Sequence, residues 1–121
     1  MTYESTRVVR SAIDPSVTFT VWRMSFARRL ELMREVRELA RRMEYLEAGE
    51  QPVEQMDAAL LRSEIDRLFV KWGLREVAGL QVDGTAATPD SLVESGPESL
   101  LREALAAVRA ESGLSAAERK N

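Results

Sequence analysis

The sequence predicts a mostly α fold: a long antiparallel helical hairpin, a short β element and a compact C-terminal helical part. Three observations carry this. Leu32, Val36, Leu39, Met43 and Leu46 step by four and three, the spacing of one helix face. Leu61, Ile65, Leu68 and Trp72 do the same in a second segment. Between the two lies only the turn-forming "GEQP".

The elements follow in chain order. Residues 1–15 show no firm period, and Asp14-Pro15 reads as a turn. In "SVTFTVWR" Val17, Phe19 and Val21 alternate with Thr18, Thr20 and Trp22, which predicts a strand over 16–23. Trp22 then lies on the face opposite the Val-Phe-Val row. Ser25 is placed to cap a helix that nothing interrupts from Phe26 to Glu47. Phe26, Met33 and Ala40 are read as widening its apolar stripe, and Gly49 as its C′ residue. A second helix is expected from about Val53 to Trp72, with Met56, Leu60 and Phe69 extending its buried face. Gly73 reads as its stop, and Leu74 as the hydrophobic residue of a Schellman-type end.

"GLQVDGTAAT" predicts a small hairpin of roughly three-residue strands about an Asp83-Gly84 turn. Thr88, Pro89 and Asp90 form a compact helix start. Gly96-Pro97 ends that helix and opens another, carried by Leu100, Leu101, Ala104, Leu105 and Val108. Gly113 reads as its stop, and "SAAE" (115–118) matches a capping box. The whole of 1–121 is read as one domain: an N-terminal arm with a strand (1–24), the helical hairpin (25–73), and the small hairpin with C-terminal helices (74–121).

Composition narrows the chemistry. The chain has no cysteine and no histidine. Disulfides, thiolate metal sites and a Ser-His-Asp triad are thereby excluded within it, and the usual general base near neutral pH is missing. Glu64 and Asp66, two apart on a helix, do not converge. Glu47, Glu50 and Glu54 surround a turn without the dense oxygen pattern of a calcium loop. Gly79, Gly84, Gly96 and Gly113 form no phosphate-cradling motif. No enzyme and no cofactor are expected. No segment has the apolar length of a membrane span, and "MTYESTRVVR" lacks the apolar core of a secretory signal, so a cytoplasmic protein is expected.

Charge is distributed unevenly. From Arg23 to Arg42 there are seven Arg against three Glu, and from Glu44 to Asp66 seven acids against Arg62 alone. This predicts two helices that attract each other, or partners of opposite charge. Nucleic acid is the disfavoured partner. Glu31, Glu35 and Glu38 interrupt the basic field, and the chain as a whole carries a net charge of −3. Trp72 is assigned to the core and Trp22 to an interface.

Several segments together resemble a known family. "RMSFARRLEL", "LLRSEIDRLFVKWGL", the run from "VAGLQVDGTAATPDSLVESG" to "ESGLS", and the ending "ERKN" are similar to small proteins encoded among the tail genes of siphophages and prophages. The family is that of the phage tail assembly chaperones, and the resemblance spans about residues 23–121. It implies a non-enzymatic, mostly helical protein in the host cytoplasm during assembly. Its partners would be phage tail proteins (the tape measure or the tail tube) or a second copy of itself. The strand "SVTFTVWR" departs from that pattern. As an attachment point for a partner's sheet it suits the alternative, a structural component of a virion or phage-tail-like particle. A second alternative is an Arg-rich nucleic-acid-binding protein. The residues assigned to partner contact are Trp22, Arg23, Phe26, Arg28, Arg29, Arg67, Lys71 and Arg75.

Overall fold

Val17, Phe19 and Val21 are wholly withdrawn from solvent in the computed structural model, which describes residues 1–112. The stop expected at Gly113 and the capping box at 115–118 lie outside the described residues. The described residues are mostly α, with four helices and a small antiparallel sheet. In order it forms β1 (Thr6–Arg10), β2 (Thr18–Trp22), α1 (Phe26–Glu47), α2 (Pro52–Gly73), β3 (Leu74–Ala78), β4 (Gln81–Val82), β5 (Thr85–Ala86), α3 (Pro89–Ser95) and α4 (Glu98–Glu111).

The strand expected over 16–23 is β2, and it is the central strand of three, in the order β1-β2-β3. Both neighbours are antiparallel to it. Neither neighbour is evident from the sequence pattern. In β1 only Val9 packs on the core, while Val8 is exposed, so the strand has no apolar alternation. In β3 Leu74 pairs with Val21 and Val77 with Phe19, and both are buried. They stand three apart because Arg75 is an extra residue between the Val21–Leu74 and Thr20–Glu76 pairs. This bulge breaks the period of two by which a strand is recognised.

α2, α3 and α4 cover the inner face of the sheet. Ile65, Phe69 and Val70 of α2, Leu92 of α3, and Leu100, Ala104, Leu105 and Val108 of α4 join the Val-Phe-Val row in one core. Ion pairs and hydrogen bonds fasten α4. Asp66 receives both Arg102 and Arg109, and Arg7 pairs with Glu111. Glu103 accepts from the Ser11 hydroxyl and the Ala12 N–H, which holds the turn between β1 and β2.

α1 and α2 run antiparallel across a four-residue connection (48–51), as their pairings show: Glu35 meets Trp72, and Glu47 meets Arg62. α1 packs chiefly on α2, and Leu32 is its only fully buried residue. Phe26 and Met33 do not widen its buried stripe. Phe26 is 84% and Met33 50% exposed, because they face away from α2. Met56 and Leu60 of α2 are likewise exposed, since α1 covers only one side of that helix. Trp72 is half-buried at the core's margin rather than enclosed.

Helix ends follow local chemistry. The Ser25 hydroxyl accepts from the Arg28 N–H at 3.2 Å, as its position predicts. Glu54 reaches back to the Gln51 N–H at 3.3 Å and starts α2. Thr88 and Ser91 cap α3 reciprocally, and Pro89 takes its first turn. Asp83 and Gly84 have φ of 51° and 81°, the two left-handed residues of a primed turn, joining strands of two residues rather than three.

The end of α2 differs from the expected Schellman geometry. Gly73 closes the helix without entering the left-handed region, and Leu74 passes directly into β3. Glycine is required there for space: a Cβ would stand 2.1 Å from Cγ1 of the fully buried Val108. Gly73→Ala is therefore expected to lower thermal stability. Overpacking costs about 1–3 kcal/mol, offset by ~1 kcal/mol of improved helix propensity. In a Val108→Ala background the same change should lose its penalty. Thermal unfolding of the four-member cycle reads this coupling, and additive effects would contradict it.

Candidate functional site

The sheet, α1 and α2 meet where β2 ends, and four of the residues assigned to partner contact converge there. Trp22 closes β2, Arg28 lies in the first turn of α1, Lys71 in the last turn of α2, and Arg75 is the bulged residue of β3. The Arg28 guanidinium stands 4.2 Å from the centre of the Trp22 ring, and that of Arg75 stands 5.1 Å from the same ring. Arg28 also approaches the Trp72 ring at 5.8 Å and donates to the Trp72 carbonyl at 3.3 Å. Lys71 lies 5.5 Å from the Trp72 ring and 3.4 Å from Glu35. Each cation–π contact of this partly exposed kind stabilises by about 0.5–1 kcal/mol.

The bulge explains how Arg75 reaches Trp22. An extra residue re-aims the side chain, so a feature that hides β3 from pattern reading also completes this cluster. Glu35 is the member that sequence reasoning missed. It accepts from the Trp72 indole N–H at 2.9 Å. This bond, with Lys71 assisting, holds the Glu35 carboxyl below the usual glutamate range.

The other assigned residues lie apart from the cluster. Arg23 donates to the Glu4 carbonyl and Arg29 to the Ser112 carbonyl, so both tie chain segments together. Arg67 pairs with Glu94 of α3. Phe26 opens an apolar ridge with Leu30 and Met33 on the side of α1 turned away from α2. Arg34 and Arg37 flank it. The ridge was legible in principle. Phe26, Leu30 and Met33 step by four and three, one-third of a turn from the Leu32–Val36–Leu39 series. Merging the two series hid it.

Among the described residues no three carboxylates gather as metal ligands. Apart from Glu35, a lowered carboxyl is found at Asp14, where the hydroxyl and N–H of Ser16 bond it within a turn. Among the described residues no helix is long and apolar enough to cross a membrane. Comparison with protein families, curated proteins and solved structures found no match to this chain.

Because Glu35 titrates below its ordinary range, its bond to Trp72 stabilises the fold above that range. This contribution fades as pH falls through the lowered value. Trp72→Phe removes the donor. In an NMR titration the Glu35 carboxyl should then move up toward the usual value. The stability gap between wild type and variant in urea should narrow from about pH 7 to about pH 3. A Glu35 titration unmoved by the substitution would contradict the assignment.

Proposed function

We propose that the protein is a non-enzymatic assembly chaperone or adaptor for phage tail proteins, acting in the host cytoplasm. In this reading the helical pair (25–73) is a binding arm carried on a base formed by the sheet, α3 and α4. The observation that carries it is the apolar ridge of Phe26, Leu30 and Met33. Three large apolar side chains aligned on one helix face suit the seating of a partner helix. Arg37 beside the ridge, which has no ion-pair partner among the described residues, favours a partner helix with acidic flanks. Among the tail proteins the resemblance points to, the tape measure protein is the occupant to which this reading commits.

The alternatives fare less well. Both edges of β2 are already paired, so Trp22 does not sit on a strand free to join a partner's sheet. That removes the argument for a particle component retained through this strand. Of the seven Arg between 23 and 42, four are engaged within the protein. Arg23 and Arg29 hold carbonyls, Arg28 stacks on Trp22, and Arg34 pairs with Glu31. This weighs against a continuous track for phosphates.

Co-expression with the tape measure protein should raise that protein's soluble yield several-fold. The double substitution Phe26→Asp with Met33→Asp should abolish the effect while the circular dichroism spectrum stays native. Wild-type protein that neither solubilises nor co-purifies with the tape measure would overturn the reading. Mass spectrometry of purified particles should find the protein absent, and its presence at structural copy number would favour a particle component instead.

A further inference from the structure

The basic run (23–42) and the acidic run (44–66) are expected to attract each other, yet neither ion pair between α1 and α2 joins an Arg of the first to an acid of the second. Among the described residues the ion pairs joining α1 to α2 are Glu47–Arg62 and Glu35–Lys71. In each the acid is on α1 and the base on α2. Charges from both runs are left over. Arg41 and Arg42 on α1, and Asp57 and Glu64 on α2, have no ion-pair partner among the described residues.

These four charges line the two banks of one groove. It is an open depression of about 680 Å³ between the outer halves of α1 and α2, away from the sheet. Its apolar floor and walls come from Tyr45 and Leu46 on the basic bank and Leu60 and Leu61 on the acidic bank. Tyr45 is 77% and Leu60 65% exposed, although each continues the apolar surface of a packed helix pair. The groove is thus basic along one side, acidic along the other and apolar between.

We infer that this groove is the self-association surface of the protein, and that its occupant is the same groove on a second copy. A surface with a basic and an acidic bank is complementary to itself under a two-fold rotation. The charges also select which rotation. With the two-fold axis across the helices, α1 would lie on α1 and Arg41 and Arg42 would face their own copies. With the axis parallel to the helices, α1 of each copy lies on α2 of the other. Arg41 and Arg42 then face Asp57 and Glu64 twice over. Tyr45, Leu46, Leu60 and Leu61 of both copies meet between them as a four-helix bundle. The two arms point in the same direction. The Phe26–Leu30–Met33 ridge takes no part, so this inference is independent of the proposed tail-protein partner.

Sedimentation equilibrium tests it with the full chain alone. At concentrations on the order of 100 μM the wild type should sediment at twice its 13.6 kDa. The pair Arg41→Glu with Arg42→Glu makes both banks acidic, and that chain should fall to monomer mass. The pair Asp57→Arg with Glu64→Arg makes both banks basic, with the same loss. An equimolar mixture of the two variants should recover the doubled mass, because each acidic bank then meets a basic one on the other chain. All positions are on the surface, and circular dichroism verifies that each variant is folded. A monomeric wild type, variants that remain dimers, or a mixture that stays monomeric would each overturn the inference.

Discussion

The junction at Gly73 decides the direction in which the helical arm leaves the sheet. α2 packs on both α1 and α4 and runs into β3 without a loop. Its orientation is therefore fixed wherever β3 is paired. Any side chain at residue 73 would push α4 away, since Val108 already fills that space. Moving α4 would uncover the Val-Phe-Val row of β2 on which the core is built. The same junction begins the bulge that turns Arg75 onto Trp22. Helix direction, core closure and the Trp22–Arg28–Arg75 stack thus share one constraint, the close approach of the Val108 side chain to the Gly73 backbone.

Where local chemistry decides a feature, the sequence was readable. Ser25, Thr88-Pro89 and Asp83-Gly84 each act within a few residues, and each does in the structure what its type requires. The Thr-rich alternation of β2 was equally plain, because its inner face is wholly buried and its outer face only half so. β1 and β3 were not legible for tertiary reasons. β1 is an edge strand with a single residue on the core, and β3 carries its two core residues at a spacing of three because of the bulge. Leu74 is read from sequence instead as the hydrophobic residue that follows a glycine helix stop. Of the candidate site, Trp22, Arg28, Lys71 and Arg75 were named from composition and position. That they meet around one pair of indoles follows only from strand order, which no local pattern carries.

The misassigned apolar residues share one cause. Phe26, Met33, Met56 and Leu60 were assigned to buried faces on the assumption that a long amphipathic helix hides all its apolar residues. Two helices packed as a projecting pair cannot do so. Each covers one side of the other, and the remaining apolar residues stay in water unless a third surface arrives. Their exposure reflects the architecture of an arm rather than a weakness of the helical pattern.

That architecture also places the arm at the less stable end of the molecule. α1 buries one residue fully, whereas β2 and α4 bury most of their inward faces. Its outer half has no support from the sheet, so local opening should begin there. Ligands that bind only the formed arm then stabilise it by mass action. The ridge of Phe26, Leu30 and Met33 lies near the base of α1, and the groove of Tyr45 and Leu60 lies toward its tip on a different face. Pairing of tips in parallel would carry two ridges on opposite flanks of the bundle, pointing outward and related by the two-fold axis. A partner with two helical segments joined by a linker that spans the bundle would engage both, so modest contacts at each would sum to firm retention. In the proposed reading charge divides the labour: the groove, with both signs on facing banks, suits its own copy, while Arg37 beside the ridge suits an acidic partner.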